Sequence, residues 1–220
     1  MSDESIAIFP LSNVVLFPGV QTPLHLFEPR YRQMTADVLA ADRRIGMALV
    51  PPEHTASMPG DPPVYPIGCA GTISQDQLLP DGRYNIVLVG ERRFRIVSEP
   101  ERPAARLYRM ADVAWLDDPL PAEAEPLVSE LRRRIETQVC SLVKREDPQR
   151  AAGLAHGILT GVDATTFVNT LSNALAFSAP EKQGLLEARD IPQRFERLEG
   201  LLAFRLAQGL HSASGSGQPH

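Results

Sequence analysis

The sequence predicts an α+β fold in which a β-rich N-terminal lobe precedes a helical C-terminal lobe. In the first half, short apolar runs are separated by proline and glycine, and several of them alternate between apolar and polar residues. After Asp117 the apolar residues recur about every four positions, which is typical of amphipathic helices. We therefore expect lobes at residues 1–118 and 119–210, followed by a disordered tail at 211–220.

Many short strands with one helix suggest that the first lobe is a small, partly open barrel. Gly82 favours a tight turn because glycine tolerates positive φ. The run from Gly90 to Arg93 interrupts a strand pattern and predicts a bulge or sharp bend. A short amphipathic helix is expected after Pro29. The predicted strands are residues 6–9, 23–27, 44–50, 69–78, 83–89, 94–99 and 107–116.

The second lobe contains helix-start patterns and apolar stripes. A long helix is expected at residues 121–145. Shorter helices are expected after Asp147, Asp163, Ser178 and Asp190, because these side chains can accept hydrogen bonds from the free N–H groups of a first turn. The residues expected at the centre of the helical core are Phe167, Leu171, Phe195 and Leu198.

Composition narrows the function classes. The formal net charge is −5, with 11 cationic and 15 anionic residues in 1–118 and 11 against 12 in 119–220. An acidic chain of this kind argues against a large nucleic-acid-binding face. Two cysteines are too few for a disulfide scaffold or a four-cysteine zinc site. The N-terminus lacks a signal-peptide pattern and no apolar run reaches membrane length, so we expect a cytoplasmic protein without a membrane contact.

Motifs for catalysis are not found in the sequence. It contains neither a G-x-x-x-x-G-K-[ST] phosphate loop nor a G-x-S-x-G nucleophile elbow. The histidines lack metal-site spacing, and His25 is expected to be a partly exposed strand residue on the face opposite Leu24 and Leu26. Cys69 is expected to be a small core residue. We therefore expect no catalytic residue, no bound cofactor and no metal.

Two groups of residues are candidates for binding a peptide. Glu28, Arg30 and Tyr31 lie at a strand-to-helix corner, where they could offer a charged and aromatic edge. The alternative is structural: Pro29 fixes the corner, Glu28 interacts with the helix N-terminus and Tyr31 packs on the barrel.

The second group is Glu91, Arg92 and Arg93. These residues could form a local cationic site for an acidic segment. Alternatively they form an exposed bend whose charges are paired with neighbouring residues, which would contribute little to stability. The sequence leaves both alternatives open.

The order of several short motifs resembles the N-terminal substrate-binding domain of Lon proteases, over roughly residues 6–205. The motifs are Phe9-Pro10-Leu11, Phe27-Glu28-Pro29-Arg30-Tyr31, Val89-Gly90-Glu91-Arg92-Arg93-Phe94-Arg95 and Arg194-Phe195-Glu196-Arg197-Leu198. The motif at residues 27–31 resembles the variant found in single-domain bacterial members of the family.

The resemblance implies a non-catalytic module that binds proteins or peptides and lacks the ATPase and protease domains of full-length Lon. It also implies a PUA-like β-barrel lobe and unfolded or exposed polypeptide segments as ligands, with a protease or chaperone as a potential partner. No nucleic-acid partner is expected. The alternative function is a small-ligand or RNA binder that uses the PUA-like lobe, since some PUA-like proteins bind RNA.

Overall fold

The computed structural model describes residues 4–146 and 161–214, and these ranges form a mixed α+β fold. Short 3-10 turns lie at Pro52–Ser57 and Ala122–Ala124. The strands are β1 Glu4–Leu11, β2 Gln21–Leu26, β3 Arg44–Leu49, β4 Ile67–Leu78, β5 Tyr84–Ser98 and β6 Arg109–Leu116. The helices are α1 Pro29–Leu39, α2 Glu125–Glu146, α3 Ala164–Ala174, α4 Ala179–Leu186 and α5 Ile191–Ser214.

The six strands form one sheet in the order β2-β5-β4-β3-β1-β6, and β6 also pairs with β5. The pair β1–β3 is parallel and the other pairs are antiparallel. The first half of β5 pairs with β2 and its last residues pair with β6. The pairings therefore lead from β1 through β3, β4, β5 and β6 back to β1, while β2 lies outside this cycle.

One continuous strand, β5, replaces the two strands predicted at residues 83–89 and 94–99. The bulge predicted between them is confirmed. Gly71 pairs with Gly90 and Ala70 pairs with Arg92, so Glu91 has no opposite residue on β4. A bulge lets a long strand bend without ending, which is why a broken pattern does not require two strands here. The predicted turn is also confirmed, because Gly82 has a φ of 80°.

The core of the sheet requires close approach of the strands. Phe94 is fully buried at its centre, next to Gly68. A Cβ atom at Gly68 would collide with the Met47 carbonyl and the Phe94 ring, so a larger residue would force the strands apart. The buried cluster consists of Ile6, Ile8, Ala48, Ala70, Phe94, Ala111 and Val113.

The chain divides into two compact units. The first comprises Met1–Asp117 and Asn169–Glu187, and the second comprises Asp118–Val168 and Ala188–His220. Apolar periodicity predicts one helical lobe over residues 119–210, so the assignment of Asn169–Glu187 to the β-rich unit differs from that expectation. Apolar periodicity predicts that a helix buries one face, but does not identify the surface that covers it.

Several helix starts match their predictions. The Asp163 carboxylate accepts a hydrogen bond from the Thr166 N–H at 2.9 Å. Ser178 and Glu181 form a reciprocal capping box at α4. The helix predicted after Asp147, with Leu154, Ile158 and Leu159, lies outside the described residues. The last helix, α5, is assigned to Ser214, whereas a disordered tail is predicted from residue 211. Residues 215–220 lie outside the described residues.

The second unit has an aromatic core. Phe167 and Phe195 are fully buried, and their rings stack with centroids 5.8 Å apart. Leu198 is also buried, as predicted. Leu171 is buried too, but it belongs to the first unit. The guanidinium of Arg132 lies 4.3 Å from the Phe167 ring centroid, so this arginine packs within the unit.

Candidate functional site

The first predicted group lies where β2 ends and α1 begins. Arg30 donates to the Glu28 carboxylate at 2.9 Å and to the backbone carbonyls of Gly60 and Met58 at 2.7 and 2.6 Å. These bonds attach the loop between β3 and β4 to the corner. The Glu28 side chain does not cap α1; its backbone carbonyl accepts from Tyr31 and Arg32 instead.

Tyr31 is buried, with 4% of its surface exposed. Its ring meets Phe9 edge-on at 4.5 Å, and the Arg30 guanidinium lies 4.5 Å from its centroid. Burial raises the pKa of the Tyr31 hydroxyl to about 12, so the phenol stays neutral. The burial and ring contact of Tyr31 are those of the structural alternative. The hydrogen bonds of Arg30 connect the corner to the loop between β3 and β4.

The second predicted group lies in the middle of β5. Glu91 and Arg92 are exposed. Arg92 forms an ion pair with Asp117 at 2.5 Å, and its guanidinium lies 5.7 Å from the Trp115 ring centroid. Arg93 is 2% exposed and donates to the backbone carbonyls of Leu186 and Asp117 at 2.8 and 2.7 Å. Of this group, only Glu91 and Arg92 are accessible to a ligand.

The structure reveals a further surface at the far end of the sheet, where β2, the first half of β5 and the second half of β4 lie side by side. Its outer face carries a row of polar side chains. His25 is exposed, as predicted, and its Nδ1 lies 2.7 Å from the Asn85 side-chain oxygen. Asn85 in turn donates to Gln77 at 3.4 Å. These cross-strand contacts make this face of the sheet polar. Among the described strands, β2 pairs with β5 alone, so its other edge is open.

Two large apolar side chains are exposed at this end of the sheet. Phe27 is 59% exposed and Leu78 is 60% exposed. The Phe27 ring stacks on His25 with centroids 6.2 Å apart. We name this region, β2 with Phe27 and Leu78, the distal surface. Exposed apolar groups near an open strand are typical of a protein-binding surface.

A groove of about 510 Å³ adjoins Leu78, between α1 and the hairpin that joins β4 to β5. The guanidinium of Arg32 packs against the turn at Gly82. Within the described ranges Arg32 forms no ion pair, so its charge is available to an acidic ligand group. The other residues that line the groove are Pro29, Gln33, Ala36 and Tyr84.

A larger groove of about 600 Å³ lies on the other side of α1, next to β1 and β6. The Tyr108 hydroxyl donates to the Asp37 carboxylate at 2.9 Å. Burial together with this hydrogen bond raises the pKa of Tyr108 to about 12. Gln33 donates to the Ala105 carbonyl at 2.8 Å and accepts from the Leu107 N–H, so the neighbouring loop is fixed to α1.

The sequence contained partial signals for the distal surface. Phe27 stands at the end of a largely apolar run just before Pro29, and Leu78 follows a polar run just before the turn at Pro80. Their exposure could not be derived, because alternation predicts which face a residue lies on but not whether another element covers that face. The sequence also did not predict that β2 has an open edge, since the order of strands in a sheet depends on pairings between distant residues.

The sequence model of the ATP-dependent protease La (LON) substrate-binding domain matches residues 5–203. The chain belongs to this family. The Lon protease of Azorhizobium caulinodans is 27% identical over 202 residues, which are 90% of this chain and 22% of that protein. The Lon protease of Brucella abortus is 28% identical over 209 residues, or 94% of this chain and 24% of that protein. The chain thus spans less than a quarter of the length of these curated relatives.

Two solved Lon N-terminal domains have a similar fold. The N-terminal domain of the Mycobacterium avium complex Lon protease superposes with a TM-score of 0.67 at 17% identity, covering 91% of this chain and 98% of that one. A Lon N-terminal domain protein from Xanthomonas campestris superposes with a TM-score of 0.58 at 26% identity and the same coverage. The mixed α+β fold is therefore that of the Lon N-terminal domain.

Two features of residues 4–146 and 161–214 bear on metals and membranes. Nowhere in that part of the chain do three or more His, Cys, Asp or Glu side chains form a group able to hold a metal ion. The described helices also lack an apolar stretch long enough to cross a bilayer.

Proposed function

We propose that this chain is a non-catalytic module that binds unfolded or exposed polypeptide segments through the distal surface. The observation that carries the proposal is the exposure of two apolar side chains at one end of the sheet: Phe27, directly after the outer strand β2, and Leu78, at the end of β4 with β5 between them. Exposure of two large apolar side chains to water is unfavourable in free energy, and a bound apolar segment would bury them. The match of residues 5–203 to a substrate-binding domain supports the same role.

The closed cycle of pairings through β1, β3, β4, β5 and β6 supports a PUA-like barrel for the first unit. In this arrangement β2 is an addition to the barrel and is not needed to close it. The strand is thus free to serve as a binding edge. A protease or chaperone partner and a cytoplasmic location, both expected from the sequence, stay predictions.

The test uses a reduced and carboxymethylated protein, which cannot refold, as a fluorescent ligand. We expect the full chain to bind it, and we expect the double variant Phe27→Ser with Leu78→Ser to bind about tenfold more weakly, because two apolar contacts are lost. The readout is fluorescence anisotropy across a titration.

The matched control is Val97→Ser with Leu107→Ser, since these side chains are exposed to 57% and 48% elsewhere in the first unit. We expect its affinity to stay within about twofold of the wild type. A wild-type chain that does not bind the unfolded protein would contradict the proposed function. Tight RNA retention in low salt would instead favour the alternative of an RNA-binding barrel.

A further inference from the structure

The outer strand of the sheet is β2. Within residues 4–146 and 161–214 it pairs with β5 alone. A strand paired on one side presents a row of backbone N–H and C=O groups to solvent on the other. The identity of these outward groups determines what can be added to the edge.

Their identity follows from the hairpin that joins β4 to β5. Leu79 donates its backbone N–H to the Arg83 carbonyl at 2.8 Å, so the backbone groups of Arg83 face β4. In a strand, the backbone groups of successive residues point to opposite sides. Those of Tyr84, Ile86 and Leu88 therefore face β2.

Two hydrogen bonds further along β5 confirm that its even-numbered residues face β2. Gly90 donates to the Val20 carbonyl at 2.9 Å and accepts from the Gly19 N–H at 2.8 Å. Gly90 thus faces the β2 side, as an even-numbered residue of β5 should. The β2 residues opposite Leu88, Ile86 and Tyr84 are Thr22, Leu24 and Leu26, and these three turn their backbone groups inward to β5.

Gln21, Pro23 and His25 consequently turn their backbone groups outward. Proline has no N–H, so its outward position leaves the pairing with β5 intact. The open edge displays two donors, at Gln21 and His25, and three carbonyl acceptors. The donors are four residues apart, a distance of about 13 Å in an extended strand.

We propose that an extended segment of a partner polypeptide binds by adding a strand to this edge, with its backbone hydrogen-bonded to Gln21 and His25. The inference rests on the proposed function and specifies the binding mode. Residues directly opposite one another in a sheet share a face, so the ligand residue opposite His25 lies beside the Phe27 ring that stacks on it. An apolar side chain is preferred there.

Pro23 favours a partner segment over a second copy of the chain as the ligand of this edge. If two β2 strands paired antiparallel about a twofold axis at Pro23, the two proline carbonyls would face each other without a donor. A heterologous segment instead supplies an N–H to the Pro23 carbonyl and leaves only its own carbonyl to water. The missing donor therefore disfavours self-pairing centred on Pro23 while still admitting a ligand.

The test alters the outward donors singly and uses the carboxymethylated unfolded protein as the probe. His25→Pro removes an outward N–H but no inward bond, whereas His25→Ala removes only the imidazole. We expect His25→Pro to bind about 2–10-fold more weakly than His25→Ala, the effect of one backbone hydrogen bond. Pro23→Val adds a donor and should raise affinity by a similar factor.

The gain in Pro23→Val keeps the test decisive if His25→Pro folds poorly, because a misfolded variant would not gain affinity. Equal binding by His25→Pro and His25→Ala, with no gain in Pro23→Val, would overturn the strand-addition mode while the proposed function stands. Absence of binding by the wild type would overturn both. A wild-type dimer that His25→Pro dissociates would overturn the proposal in favour of a second copy.

Discussion

Arg93 carries a charge into the interior of the first unit. Burying a guanidinium is costly unless its N–H groups find acceptors. The side chain meets this requirement with two backbone carbonyls, those of Leu186 and Asp117. The Leu186 carbonyl belongs to the last turn of α4, where carbonyls have no helical partner and a cation is favourable. Arg93 is therefore a structural link between β5 and α4.

At this scale we expect Arg93→Met to destabilise the chain by about 2–4 kcal/mol, because the buried Leu186 carbonyl and the partly buried Asp117 carbonyl would lose their donor. Arg95→Met is the matched control: Arg95 is two residues along the same strand and exposed, so its effect should stay within about 0.5 kcal/mol. Urea unfolding followed by the fluorescence of Trp115, the single tryptophan, measures both. Equal stability of the two variants would contradict the structural role.

The sequence could not separate Arg93 from Arg92. Both stand in one charged run of β5, and the bulge at Glu91 determines which of them turns inward. The sequence predicted the bulge from Gly90 but not its effect on the facing of each residue. The acceptor on α4 is also 93 positions away along the chain, a separation that no local pattern reveals.

Local signals were most reliable at the ends of elements. The turn at Gly82, the capping box at Ser178 and the cap at Asp163 were all predicted and are confirmed. Each depends on groups within a few residues, so the sequence contains all the chemistry involved. At α3, hydrogen bonds from the Thr166 hydroxyl and backbone lower the pKa of Asp163.

At the scale of this element we expect Asp163→Ala to cost about 1 kcal/mol of stability at neutral pH. Because the pKa of Asp163 is lower in the folded state, its ionised form contributes stability above its ordinary pKa of about 3.9, and that contribution is lost as the pH falls. The difference between wild type and variant should therefore shrink in acid. Urea unfolding followed by circular dichroism at several pH values measures it.

Asp163→Asn is the control, since an asparagine side chain caps a helix without titrating. Its stability at neutral pH should be close to that of the wild type. The difference in stability between Asp163→Asn and Asp163→Ala should not change as the pH falls through the pKa of Asp163, because neither replacement titrates. If Asp163→Asn lost as much stability as Asp163→Ala, the charge and not the cap geometry would be responsible.

The first unit is completed by residues far from its strands in sequence. Gln183, which is 2% exposed, donates to the Ile67 carbonyl at 2.9 Å. Asn169 donates to the Pro18 carbonyl at 3.0 Å. Together with the bond from Arg93 to Leu186, these contacts make Asn169–Glu187 part of the β-rich unit. Composition predicts a division at residue 118. All six described strands end before it, and the β-rich unit also includes the later segment Asn169–Glu187.

For the whole molecule we therefore expect the fragment 1–118 to be an incomplete unit. Without residues 169–187 it exposes the surface that Leu185 and Leu186 bury, and it leaves Arg93 without its acceptor on α4. It should aggregate or bind a hydrophobic dye, whereas fragment 1–187, which retains the returning segment, should bind less dye and show a cooperative Trp115 transition. A monomeric 1–118 fragment that melts cooperatively without binding dye would show that the strands form a complete core alone, and that Asn169–Glu187 only covers it.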